Sequence, residues 1–175
     1  MALALSGTSN GSLNNLSLSG NTATIVDTAR AGGIIQVVQA TTTTTVPVST
    51  TNYTDTGLTG SITPTSSSNK IFVFITQNTR MARNSSPVGA GIKIFRDSTE
   101  IYTPTADGNG PLTQYFDSTN VINQVSLQIL DSPATTSSVT YKTEGRPYLS
   151  SQGGQVNFNY GSSSPSTITL IEVVA

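Results

Sequence analysis

The sequence has 175 residues, a formal net charge of −1, and neither cysteine nor histidine, so it has room for one ordinary domain with a short appendage. Without these two residue types the chain lacks disulfides, thiolate nucleophiles, the commonest general base and the commonest transition-metal ligands, so we expect no catalytic residues, no cofactor and no metal site. The 8 Lys and Arg residues are scattered, and no apolar run approaches the roughly 20 residues of a membrane span, so neither nucleic acid nor a membrane is an expected partner.

Residues 1–32 carry a near-repeat that sets them apart from the rest of the chain: LALSG at 3–7 and LSLSG at 16–20. In both copies leucine alternates with small polar residues, which is the period of a half-buried strand, but two short strands cannot build a core of their own. We therefore predict an extended N-terminal arm that attaches to another protein surface, with a frayed terminus as the alternative. The apolar residues assigned to this attachment are Leu3, Leu5, Leu13, Leu16 and Leu18.

Residues 33–175 are predicted to form one head domain built from strands. Ser and Thr make up roughly 30 % of the chain, against 10 % for all charged types, a composition that favours strands and turns over long helices. Short β-like runs recur between clusters of Ser, Thr, Gly, Pro and Asp, as expected for an antiparallel β-sandwich. The predicted strands are 34–39, 46–53, 58–63, 70–77, 91–96, 100–103, 121–130, 139–143, 156–160 and 167–174.

Two stretches within these strands, 71–75 and 168–174, carry apolar residues at successive positions rather than only at every second one. Because successive side chains of a strand point to opposite faces, both faces of these strands are predicted to be buried. One face serves the core and the other meets a second protein surface, so self-association is predicted. The open alternative is that loops or the arm of the same chain cover that face. The predicted subunit-interface residues are Phe72, Phe74, Ile171 and Val173.

Four segments give the head domain a family resemblance: TSSSNKIFV at 65–73, FRDSTEI at 95–101, LDSPATTSSVTY at 130–141 and STITLIEV at 166–173. Over residues 33–175, but not over the arm, the sequence resembles the C-terminal head domains of structural proteins from tailed bacteriophages. The resemblance implies a jelly-roll-like head that associates as a homotrimer and sits on a virion attachment segment. The family includes both capsid decoration or head-fibre proteins and receptor-binding fibres, so the resemblance does not choose between these roles.

Several polar and aromatic residues are weaker candidates for a site. Asp107 and Asn109 lie on a glycine loop but lack the further acidic ligands of a calcium loop, so a turn is predicted there. Glu144 and Arg146 are candidates for an intersubunit salt bridge or a ligand contact, with solvated loop charges as the alternative. Aromatic rings near loops either stack on sugars or fill subunit contacts. The tyrosines in such positions are Tyr102, Tyr115, Tyr148 and Tyr160.

Together these patterns predict a non-enzymatic structural protein on the surface of a virion. A tail-fibre head usually follows a long shaft, whereas only a short arm precedes this head. We therefore expect a capsid decoration protein, anchored by its arm to the major capsid protein or another virion protein. The alternative is the tip of a tail fibre that binds a host surface glycan. A depolymerase is disfavoured because no pair of catalytic carboxylates is evident in the sequence.

Overall fold

The computed structural model describes residues 31–82, 89–104, 120–148 and 154–175. Within these ranges the regular structure consists of ten β-strands. The predicted arm therefore lies outside the described residues, except for residues 31 and 32. The strands are β1 Ile34–Thr42, β2 Val46–Val48, β3 Thr54–Ile62, β4 Lys70–Ala82, β5 Gly89–Arg96, β6 Thr99–Tyr102, β7 Asn120–Asp131, β8 Val139–Tyr148, β9 Gln155–Phe158 and β10 Ser166–Val173.

β4 organises the larger of two antiparallel sheets. It pairs along one edge with β7, from Ile71 to Ala82, and along its other edge first with β10 and then with β9. β1 pairs with β10 and β2 pairs with β9, which completes a six-stranded sheet. The second sheet has four strands in the order β3-β8-β5-β6. The described chain is thus an all-β, antiparallel, two-sheet sandwich, which confirms the fold class that the strand pattern predicts.

The core lies between the two sheets and follows from the alternation of side chains along the strands. In β4 the side chains of Ile71, Val73 and Ile75 are buried, and they pack with residues of the four-stranded sheet such as Leu58 and Tyr141. Each large aliphatic side chain buried in this way stabilises the fold by about 1.5–3 kcal/mol. A second apolar cluster lies at the other end of the sandwich and consists of Val48, Met81, Ala90, Ile92, Val125, Val156 and Phe158.

A layer of buried polar side chains lies between the two apolar clusters. Gln77 Nε2 donates to Thr56 Oγ1 at 2.8 Å and to Asn159 Oδ1 at 3.1 Å. The hydroxyls of Thr56 and Thr143 lie 2.5 Å apart, and Asn159 Nδ2 donates to the carbonyl oxygens of Thr44 and Thr56. Buried polar groups are costly unless they are hydrogen-bonded. The layer therefore ties β3, β4 and β8 to the segment that follows β9.

This layer also explains why β4 is longer than predicted. The prediction ends the strand at Gln77, whereas the strand continues to Ala82. Gln77 and Thr79 are fully buried, and their side chains lie on the core-facing side of β4 although they are polar. A polar residue that finds a buried hydrogen-bond partner can occupy a core position, and only the folded structure shows where that partner lies.

β8 likewise extends to Tyr148 rather than ending at Thr143. The extra residues include Gly145 and Pro147, which usually mark turns. Gly145 fits inside the strand because a neighbouring ring fills the space of its missing side chain. Pro147 is tolerated because the pairing of β8 with β3 stops at Gly145, so only β5 pairs with the strand there.

The predicted strand 46–53 is wrong beyond Val48, and the next strand starts at Thr54, earlier than the predicted start at 58. A bulge in β3 causes this difference. Gly57 has a φ of 76°, and its N–H donates to Asp55 Oδ1 at 2.8 Å. A side-chain turn of this kind is typical of loops, so the sequence Thr-Asp-Thr-Gly gives the signal of a turn although it lies inside a strand.

Candidate interaction surface

The outward side of the six-stranded sheet carries a straight row of apolar side chains across four strands. Val37 of β1 is paired with Ile171 of β10, Ile171 with Phe72 of β4, and Phe72 with Leu130 of β7. The rings of Phe72 and Phe74 are in edge contact, with centroids 4.2 Å apart. We call this surface the outer apolar face. Its members are Ile34, Val37, Phe72, Phe74, Leu130, Ile171 and Val173.

The outer apolar face is open to solvent in the described chain. The exposed fractions are 65 % for Ile34, 57 % for Val37 and 52 % for Leu130. A hollow of about 390 Å³ lies within the face and is lined by Ile34, Leu130 and Val173 together with Phe72 and Ile171. Scattered exposed apolar residues are normal on protein surfaces, but a contiguous group across several strands marks an interaction surface.

The outward side of the four-stranded sheet has the opposite character. Lys93 pairs with Glu100 at 2.5 Å, and Lys142 lies 2.9 Å from Glu144 and 3.3 Å from Asp55. These charged side chains are partly exposed and paired within the chain, so desolvating them in an interface would be costly. Between Phe72 and Asn78, by contrast, the outward residues of β4 are uncharged. The two outer surfaces therefore differ, and the six-stranded sheet carries the one suited to apolar association.

The structure brings the four predicted interface residues together. Phe72 and Ile171 are directly paired, and Phe74 and Val173 lie one step along the same side of their strands. The sequence reasoning missed Ile34, Val37 and Leu130. The alternating patterns of β1 and β7 are visible in the sequence, but such a pattern does not identify the strands that pair with β1 and β7.

The weaker candidates have varied positions. Glu144 contacts Lys142 of the same strand, while Arg146 donates to the carbonyl oxygen of Thr51 at 3.0 Å and stacks over the Tyr53 ring at 4.8 Å. Both side chains therefore have partners within the chain. Asp107, Asn109 and Tyr115, like the arm residues Leu3, Leu5, Leu13, Leu16 and Leu18, lie outside the described residues.

Glu172 is a fully buried carboxylate that the sequence reasoning did not single out. Its Oε1 accepts from Asn69 Nδ2 at 2.6 Å, from Thr65 N at 2.7 Å and from Thr65 Oγ1 at 2.8 Å, and its Oε2 accepts from Gln36 Nε2 at 2.6 Å. Burial alone would raise the pKa of Glu172, but the hydrogen bonds from Asn69, Gln36 and Thr65 outweigh it and lower the pKa to about 2. The signal in the sequence is one charged residue at a core-facing position of an apolar strand.

A second, partly buried polar cluster links the two sheets. Arg96 of β5 donates to both oxygens of Asp131 of β7 at 2.8 Å, and the Tyr141 hydroxyl of β8 donates to Asp131 Oδ2 at 2.7 Å. Arg96, Asp131 and Tyr141, like Thr65, Asn69 and Glu172, all belong to the four segments that carry the family resemblance. Within this chain, these polar residues of the four segments therefore link strands to one another and help to hold the fold together.

Two kinds of site are absent from the part of the chain that the structure describes. Ranges 31–82, 89–104, 120–148 and 154–175 contain no group of three or more acidic residues placed to hold a metal ion. They also contain no helix with the length and apolarity needed to cross a membrane.

No protein-family model matches the chain, and no curated protein sequence matches it. The structure supports an all-β, two-sheet antiparallel domain, and no family or homologue identifies that domain as a phage protein.

Proposed function

We propose that this protein is a non-enzymatic structural protein of a tailed-bacteriophage virion, and specifically a capsid decoration protein on the particle surface. The observation that carries the proposal is the outer apolar face, where Val37, Phe74 and Leu130 are exposed in the described part of the chain. Proteins rarely leave such a contiguous face uncovered. The two-sheet sandwich is compatible with the jelly-roll-like head that the family resemblance implies.

The proposed partner of the outer apolar face is a second copy of the same chain, in a homotrimer. An uncharged, apolar surface suits self-association because identical copies can bury it without leaving an unpaired charge. The family resemblance implies the trimer, in which each copy contributes Phe72, Phe74, Ile171 and Val173 to the contact.

We expect the wild-type protein to sediment as a trimer and the Leu130→Lys variant to sediment as a smaller species. Leu130 is half exposed, so lysine there costs the isolated fold little, but it places a charge in the proposed contact. Sedimentation equilibrium at micromolar concentration measures the difference, and circular dichroism checks that both proteins are folded.

The matched control is Ile122→Lys. Ile122 lies on the same strand and the same side as Leu130 and is also exposed, but it lies outside the outer apolar face. This variant should still form trimers. A wild-type monomer would contradict the proposal, and a Phe72→Ser variant that unfolds more easily without changing association would show that the chain covers this face itself.

We further propose that the N-terminal arm attaches the trimer to the major capsid protein or another virion protein. Leu3, Leu5, Leu13, Leu16 and Leu18 are too few to close a core and too apolar to favour full solvation. An alternating segment of this kind can add to an exposed sheet edge through main-chain hydrogen bonds. Three arms in one trimer would also strengthen weak individual contacts through high effective concentration.

Deletion of residues 1–30 should leave a folded trimer that no longer binds to particles lacking the protein. The deletion stops before Gly32 because Gly32 N–H donates to the carbonyl oxygen of Val174 at 2.8 Å. Rebinding to such particles is measured by cosedimentation, with the full-length protein as the control. Undiminished binding of the truncated trimer would move the attachment site to the head.

The alternative role is the tip of a tail fibre that recognises a host surface glycan. It is favoured by one observation, a cleft beside Tyr160 that lies apart from the outer apolar face. Imaging of intact particles at low resolution separates the two roles, because a decoration protein is distributed over the capsid and a fibre tip is confined to the tail.

A further inference from the structure

A cleft of about 420 Å³ opens on the outward side of the six-stranded sheet, between β4, β7 and the loop 159–165. It lies at the other end of this side from the outer apolar face. Asn78 and Phe74, the member of that face nearest to it on β4, are four residues apart, which corresponds to about 13 Å in a strand. The volume falls within the range of about 300–1,000 Å³ that is typical of sites for small ligands.

Asn78 fixes the floor of this cleft. It is almost fully buried, its backbone N–H donates to Ser166 Oγ at 3.0 Å, and its side-chain nitrogen donates to the carbonyl oxygen of Ser164. Its Oδ1 accepts from Gln124 Nε2 at 3.1 Å. The loop after β9 and the side chain of Gln124 are thus held in place, so the cleft is formed before any ligand binds.

Tyr160 forms a wall of the cleft. The guanidinium carbon of Arg80 lies 5.1 Å from the centre of its ring, and Arg80 also donates to Asn120 Oδ1 at 2.8 Å. These contacts orient the ring. Arg80 already contacts the Tyr160 ring and the Asn120 amide, so we do not expect it to bind an anionic ligand.

The remaining polar groups of the cleft are uncharged and available. Within the described ranges, no hydrogen bond reaches Gln124 Oε1, the phenol oxygen of Tyr160 or the hydroxyls of Ser162 and Ser163. The apolar side chain of Ile122 is 66 % exposed at the cleft. The lining therefore combines an aromatic ring, an aliphatic side chain, three amides and hydroxyls, without a carboxylate.

This combination matches the chemistry of a sugar. Sugar hydroxyls donate and accept hydrogen bonds at once, as amide and hydroxyl side chains require, and the C–H faces of a pyranose ring pack on an aromatic ring. A metal ion would need carboxylate oxygens, which the lining does not supply. We propose that the cleft binds a neutral saccharide, with Tyr160 as the packing platform and Gln124, Ser162 and Ser163 as hydrogen-bonding groups.

This site extends the receptor-binding alternative and does not depend on the proposed self-association. It lies on the same side of the sheet as the outer apolar face but uses different residues, so the two proposals are tested by separate measurements.

The test uses the full-length protein and an immobilised panel of oligosaccharides. The panel holds neutral hexose, N-acetylhexosamine and deoxyhexose oligosaccharides together with sialylated and sulfated ones. The wild type should bind at least one neutral oligosaccharide, and titration of that oligosaccharide in solution should shift the side-chain amide resonances of Asn78 and Gln124 in nuclear magnetic resonance spectra.

Variants then locate the binding. Tyr160→Ala should weaken the affinity about tenfold or more because it removes the packing platform, whereas Tyr160→Phe should keep most of it. Gln124→Ala should also weaken binding. The matched control is Gln128→Ala, on the same strand and side but outside the cleft, and it should bind like the wild type.

Three outcomes would overturn the proposal: no neutral oligosaccharide binds, only acidic ones bind, or Tyr160→Ala and Gln124→Ala bind as tightly as Gln128→Ala. If Tyr160→Ala proves unfolded by circular dichroism, Gln124→Ala decides the result, because Gln124 is exposed and its loss does not threaten the core. Sedimentation of the same variants reports on self-association separately.

Discussion

Replacing Gly145 with alanine should destabilise this protein by about 3 kcal/mol or more and lower its melting temperature by roughly 10 °C. A Cβ atom at this position would lie 2.2 Å from Phe158 Cζ and 2.6 Å from both Cε atoms of the same ring. Phe158 is fully buried in the second apolar cluster, so the ring cannot move aside without opening the core. Thermal unfolding followed by circular dichroism measures the effect.

The matched control is the same substitution at Gly60, also within a strand. There the nearest side-chain atom, Ile168 Cγ2, lies 3.1 Å from the added Cβ. A shift of a few tenths of an ångström relieves that contact, and alanine also restricts the unfolded chain, so the net change should be within about 1 kcal/mol. Phe158→Leu supplies a second check, because the cost of Gly145→Ala should be smaller in that background. Equal melting temperatures for Gly145→Ala and the wild type would refute the argument.

The second large effect is expected at Glu172, where Glu172→Gln should cost about 3 kcal/mol. An amide has the same shape as the carboxylate, but it carries no charge and offers one acceptor oxygen where Gln36, Thr65 and Asn69 donate four hydrogen bonds. Donors left unpaired in the interior lose their hydration without compensation. Urea denaturation gives the free energy of unfolding of both proteins, and Glu100→Gln, which removes a surface ion pair, should change it by less than about 1 kcal/mol.

The same carboxylate predicts how stability depends on pH. Its pKa is about 2 in the folded protein against an ordinary value of 4.5. The stabilisation is therefore fully present above pH 4.5 and is lost as the pH falls from there through about 2, because in this range the unfolded state binds a proton that the folded state does not. Melting curves between pH 6 and pH 2 should show this acid-dependent loss in the wild type and a smaller one in Glu172→Gln. An equal loss in both proteins would assign the acid sensitivity to other carboxylates.

The sequence alone predicts much of the fold, because the alternation of side chains along a strand is a local property. The apolar pattern of 71–75 places Phe72 and Phe74 opposite the core-facing residues, and the structure confirms that arrangement. The turn signals also separate most of the strands correctly. The errors occur where a residue is determined by a contact from another strand. Gly145 gives the signal of a turn, but it lies inside β8 because the ring of Phe158, on β9, fills the space next to it.

Composition and periodicity therefore determined the all-β class, the approximate strand positions and the two-sided character of β4 and β10. Only the tertiary structure decided which strands lie side by side. The row from Val37 through Ile171 and Phe72 to Leu130 joins four strands, and the cleft of Asn78, Gln124 and Tyr160 joins β4, β7 and a loop. Pairing between strands is set by hydrogen bonds and packing among residues that can be more than 130 positions apart in the sequence. The alternation of side chains along one strand does not identify the strand that pairs with it.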